Sequence, residues 1–91
     1  MEELEDLFLQ KKPARILVGI YRGDDSKYAS VLSKEADCTY SHTVKILDKF
    51  EGQGLVEFSK EGRKKLIDLT ERGAELAERL DGFMKAMESA N

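Results

Sequence analysis

The chain contains one cysteine and one histidine in 91 residues, and each scarcity closes a route. A lone Cys38 cannot form an internal disulfide. Cys38 and His42 stand four residues apart, the spacing of a metal pair or of a thiol and its base. Metal sites, however, take three or four ligands, and no other Cys or His exists. A buried thiol beside a histidine at a helix start accounts for the pair, and no cofactor or metal is expected. No apolar run approaches the roughly 20 residues that cross a bilayer, so the chain reads as cytoplasmic, with no membrane partner. The first ten residues carry Glu2, Glu3, Glu5 and Asp6 in place of the basic-then-apolar order of a secretory signal. No phosphate loop, catalytic dyad or acid pair at helical spacing stands out, so enzymatic activity is not expected. An excess of positive charge is also missing. The formal charge of −3 argues mildly against nucleic acid as a partner, because phosphate binding rests on basic surface.

What is present has the composition of an ordinary globular domain, with 36% charged and 41% hydrophobic residues. Chains this short close a single core. One domain over residues 1 to 91 is expected, with a core and hairpin over 13 to 70 and a C-terminal helix over 71 to 91. The charge is unevenly spread. Residues 60 to 65 sum to +3 and residues 1 to 10 to −4, so the middle of the chain is basic where its ends are acidic.

Leu4, Leu7 and Phe8 recur at helical spacing, which predicts a short helix within residues 2 to 10 or, in its place, an acidic frayed tail. Pro13 suits a first helical turn. Ala14, Ile16, Leu17, Ile20 and Tyr21 then form one apolar face until Gly23. Asp24-Asp25-Ser26 is turn chemistry, and Lys27-Tyr28-Ala29 reads as a brief strand before Ser30, a cap for a helix through Glu35 with Val31, Leu32 and Ala36 on its apolar side. Asp37-Cys38-Thr39 reads as a tight turn, with Asp37 tolerant of the left-handed conformation and Thr39 an N-cap. The next helix runs to about Gly52, burying Thr43, Ile46, Leu47 and Phe50 and leaving Tyr40, Ser41, Val44, Lys45 and Asp48 outside.

Gly52 and Gly54 supply positive φ where the helix stops. Leu55 to Ser59 and Lys65 to Leu69 read as two strands joined by Lys60-Glu61-Gly62-Arg63. Thr70 caps a last helix with Glu71 in its first turn, where the helix dipole favours negative charge. Leu76, Leu80, Phe83 and Met87 follow at spacings of four, three and four, a heptad seam with Ala77 and Met84 beside it. That seam either folds back on its own domain or pairs with a second copy, since two heptads are fewer than a secure coiled coil needs.

A capped helix followed by a tight hairpin with cations at its turn is the order in which a winged helix-turn-helix meets DNA. Over roughly residues 13 to 80 the chain resembles the MarR-type winged helix-turn-helix transcriptional regulators, in a compact form like small archaeal or viral members. The stretches that carry the resemblance are Leu47-Asp48-Lys49-Phe50-Glu51-Gly52-Gln53-Gly54-Leu55-Val56 and Leu66-Ile67-Asp68-Leu69-Thr70-Glu71-Arg72-Gly73. The resemblance implies a reading helix that begins at Tyr40 and enters the major groove, and a wing arginine, Arg63, that reaches the minor groove. Family members are generally longer, with a fuller N-terminal dimerisation helix and a longer wing. Here Glu61 precedes Arg63 by two in a clipped loop.

The expected fold is therefore mainly α with a small β-hairpin, a winged helix-turn-helix with a C-terminal dimerisation helix. The expected function is sequence-specific binding of duplex DNA by a homodimer that regulates transcription. Candidate DNA contacts are Thr39, Tyr40, Ser41, His42, Val44, Lys45 and Lys49 on the helix, and Lys60, Arg63, Lys64 and Lys65 on the hairpin. Candidate dimer contacts are Leu4, Leu7, Phe8, Leu76, Leu80, Phe83, Met84 and Met87. The alternative is a winged-helix docking module for another protein, in keeping with the acidic total.

Overall fold

A computed structural model describes residues 2–23 and 28–90. The expected Asp24-Asp25-Ser26 turn and Lys27 lie outside the described residues, as do the side chains of Leu7 and Lys64. Among the described residues, five helices and one antiparallel hairpin follow in the order α1 (Glu2–Phe8), α2 (Lys11–Arg22), α3 (Ala29–Glu35), α4 (Tyr40–Gly52), β1 (Val56–Glu61), β2 (Lys64–Leu69) and α5 (Glu71–Ala90). The core gathers Ile16, Leu17 and Ile20 of α2, Leu32 of α3, and Ile46, Leu47 and Phe50 of α4. Leu55, Val56 and Ile67 at the base of the hairpin and Ala77 of α5 complete it. Thr43 is fully buried with them and donates its hydroxyl back to Thr39 O at 2.9 Å. The acidic N-terminal stretch forms a helix, and its Phe8 stacks on Phe50 with ring centroids 5.6 Å apart.

The joints that orient α4 are made by two similar backbone devices. At the end of α3, Cys38 N donates to Ser33 O at 2.8 Å and Asp37 N to Lys34 O at 3.3 Å, while Asp37 has φ 52. At the end of α4, Leu55 N donates to Phe50 O at 2.9 Å and Gly54 N to Glu51 O at 3.0 Å, and Gly54 has φ 73. Each is a Schellman ending, in which one left-handed residue lets two amides satisfy carbonyls the helix leaves open.

Three local expectations are corrected. Tyr28 and Ala29 form no strand: Ala29 begins α3, and the residue at its cap is not Ser30 but Tyr28; the Tyr28 carbonyl accepts from Val31 N and Leu32 N at 3.1 Å. Gly52 is helical, so Gly54 alone makes the reversal after α4, because a Schellman ending needs a single left-handed residue. The strands run closer to the tip than expected. Pairing extends to Glu61↔Lys64, leaving Gly62 and Arg63 as a two-residue turn. Gly62 has φ 65, the conformation that short hairpin turns require and only glycine adopts cheaply.

The hairpin is tied to the body where α4 ends and α5 begins. Thr70 N donates to Leu55 O at 3.0 Å. The Thr70 hydroxyl donates to Gly54 O at 2.6 Å and accepts from Gly73 N at 3.0 Å, so the residue that caps α5 also grips the turn after α4. Gly73 presses so closely on that turn that a β-carbon there would stand 1.9 Å from Leu55 O. A second tie joins the far end of α2 to α5. The Arg22 guanidinium donates to the buried carboxylate of Asp81, which also pairs with Lys85 at 3.2 Å. Burial pushes the Asp81 carboxyl up, but hydrogen bonds and charge from Arg22 and Lys85 outweigh it and hold it below the ordinary aspartate value. No helix among the described residues is long and apolar enough to cross a membrane.

Candidate nucleic-acid interface

The helix α4 starts on an extended Thr39 whose hydroxyl accepts from His42 N at 3.2 Å. With Thr43, Ile46, Leu47 and Phe50 buried, a wheel of about 3.6 residues per turn puts Ser41, Lys45 and Asp48 on the outward crest. All three are exposed. Tyr40, 60% exposed, and Val44 flank the crest on the side facing the hairpin. His42 and Lys49 flank it on the other.

This division decides which candidates meet. Tyr40 and Val44 line a groove of about 470 Å³ together with Arg63 and Lys65 of the hairpin, Tyr28 at the start of α3, and Phe58. The start of α4 and the turn of the hairpin therefore face one concavity, which Asp48 also lines. His42 and Lys49 line a separate groove of similar volume with Asp6, Gln10 and Pro13, between α4 and the N-terminal helices. Thr39 is exposed at the start of α4. Cys38 Sγ lies 3.4 Å from His42 Nδ1, so the two residues spaced four apart do touch.

Strand alternation sorts the hairpin. Val56, Phe58 and Lys60 share one face with their partners Leu69, Ile67 and Lys65. The base of this face is core, and toward the tip it turns cationic. Lys60 and Lys65 sit directly across from each other, a like-charge pair that weakens a hairpin unless an anion lies against it. The Lys65 ammonium is 4.3 Å from the centroid of the Phe58 ring. Arg63 and Lys60 are exposed. Sequence reasoning did not find Tyr28 or Phe58 at this site. The period-two alternation of β1 carries the signal for Phe58; Tyr28 carries none, since only the tertiary placement of the start of α3 on the same groove as the hairpin brings it there.

The other candidate set divides as well. Leu4, Phe8, Leu76 and Leu80 are half-buried against the chain's own core. Met84 is half-buried, whereas Phe83 and Met87 are 61% and 47% exposed.

These features define a winged helix-turn-helix: a capped helix crossing the core, reached through a tight turn and flanked by a short hairpin. No protein-family model matches the sequence. An uncharacterized protein of Archaeoglobus fulgidus is 30% identical over 97% of this chain and 96% of its own length. A crystal structure from the same organism superposes with a TM-score of 0.80 at 30% identity, covering 93% of this chain and 97% of that one. MepR, a transcription regulator of the Staphylococcus aureus multidrug efflux pump MepA, superposes at 0.78 with 21% identity, covering 98% of this chain and 67% of MepR. A MarR family transcriptional regulator from Silicibacter pomeroyi does so at 0.80 with 24% identity, over 98% of this chain and 67% of that one. The chain belongs to one family with the Archaeoglobus fulgidus protein, and its fold is that of the MarR-family transcription regulators.

Proposed function

We propose that this chain is a transcription regulator that binds duplex DNA as a homodimer, with the start of α4 in the major groove and the hairpin turn in the adjacent minor groove. The observation that carries the reading is the shared groove: Tyr40 and Val44 of α4 stand across it from Arg63 and Lys65 of the hairpin. An α-helix fits the major groove with its first residues toward base edges. There Ser41 has a hydroxyl for a base edge, Val44 an apolar surface for a thymine methyl, and Lys45 a donor for guanine or phosphate. Arg63 has the planar cation suited to a narrow, negative minor groove. Support also comes from MepR, which has been crystallised in complex with DNA and superposes on 98% of this chain with a TM-score of 0.73.

One chain offers few cations, and pairing doubles them. The exposed Phe83 and Met87 are the apolar surface for that pairing, with Leu76 and Leu80 beside them. Two reading helices would then fall about 34 to 36 Å apart on a near-palindromic site. The test is duplex binding across a salt series. Affinity should fall steeply with salt, with a logarithmic slope of about 0.9 per phosphate neutralised, and Arg63→Ala should weaken it further. Affinity that ignores both would favour a protein-docking module, the reading consistent with the net charge of −3.

A further inference from the structure

We propose that Phe58 is a positioning residue for DNA binding: its ring holds the Lys65 ammonium in the groove between α4 and the hairpin, where the sugar-phosphate strand separating the two grooves of a duplex would pass. The inference rests on the DNA-binding reading above and extends it to a residue that touches no base. Lys65 and its cross-strand partner Lys60 repel each other. Rather than extending beside Lys60 toward the tip, Lys65 reaches diagonally to the ring two pairs nearer the hairpin base on the same face, 4.3 Å from its centroid. That contact is a cation–π interaction, and it places the ammonium on the wall of the groove that also holds Tyr40 and Arg63. A free lysine samples many rotamers, and the entropy lost in ordering it offsets part of its attraction to a phosphate. A lysine already laid on a ring loses less. The position also has a task, because Asp48 lines the same groove and its carboxylate repels a phosphate. A cation fixed on the opposite wall offsets that repulsion.

The test is a double-mutant cycle on the full chain. Wild type, Phe58→Leu, Lys65→Met and the double variant are titrated with a fluorescent duplex over a salt series. We expect Phe58→Leu to weaken binding about two- to fivefold, the worth of an exposed cation–π contact, when Lys65 is present. In the Lys65→Met background it should cost nothing more. Phe58→Tyr should bind like wild type, and Lys65→Met should lower the salt slope by about 0.9, one phosphate. Additive losses, or wild-type binding by Phe58→Leu, would overturn the inference. An independent readout comes from NMR of the free protein, where the ring should shift the Lys65 ε-methylene protons upfield in wild type and Phe58→Tyr but not in Phe58→Leu. Absence of that shift in wild type overturns it whatever the DNA result. A wild-type chain that shows the shift yet binds no duplex overturns it through its premise, and the shift identifies which of the two failed.

Discussion

The two halves of α5 carry one apolar pattern and meet two different surroundings. From Glu71 to Asp81 the helix is anchored: Gly73 lies against the Leu55 backbone, Ala77 is fully buried, Leu76 and Leu80 pack on the core, and Asp81 binds Arg22. From Gly82 onward the same spacing continues through Phe83 and Met87, and there the two residues are 61% and 47% exposed. Apolar periodicity thus specifies that a face will be covered, without specifying by what. The near half is covered by its own domain. The far half is the surface on which the proposed second copy would rest.

The largest break in this contrast comes from the anchor at Gly73. Gly73→Val adds a side chain whose first carbon would overlap the Leu55 carbonyl, which is backbone and cannot step aside. We expect a loss beyond about 3 kcal/mol, above the range of most single changes. A denaturant midpoint close to wild type would remove the close-approach argument. Next in size is a matched pair across the boundary. Leu80→Ala should cost about 2 kcal/mol by emptying part of the core face. Phe83→Ala should change the stability of the dilute chain by no more than about 0.5 kcal/mol while weakening self-association in sedimentation. Equal effects of the two substitutions on unfolding would erase the distinction between the halves.

The smallest effect is confined to acid. Because the folded Asp81 carboxyl is held below its ordinary value, its contribution is fully present above the unfolded value, about 3.9, and is lost as pH falls through the folded one. Thermal melts should therefore decline more steeply below about pH 4 in wild type than in Asp81→Asn. Parallel declines would show that Asp81 does not couple α2 to α5. The size is limited because Arg22 and Lys85 remain partly in water, with side chains 43% and 66% exposed.

Much of the framework that carries the candidate site was legible because its determinants are local. Thr39 and Thr70 are capping residues followed three positions later by the amide they receive, and Asp37 tolerates the left-handed turn that its position needs. The buried face of α4 follows from spacing alone. The errors were local too, where chemistry allowed two answers: Gly52 and Gly54 are both able to reverse the chain, and the extended backbone of Tyr28, φ -120 and ψ 142, serves a strand as well as the residue before a helix. Long-range partners left no trace. Arg22 and Asp81 are 59 residues apart, and nothing in either neighbourhood names the other. Gly73 read as part of a family motif, yet its need for glycine comes from the Leu55 carbonyl, supplied by the turn after α4.

The amino-acid order alone determined α2, α4, α5 and the hairpin, the caps at Thr39 and Thr70 and the basic tip, because short-range hydrogen bonding and apolar period act over a few residues. Only the tertiary structure decided that α4 and the hairpin share one groove, that His42 and Lys49 turn to another, and that α5 is held along half its length. Those outcomes depend on how faces from distant segments compete to leave water, and a pattern along the chain does not contain that competition.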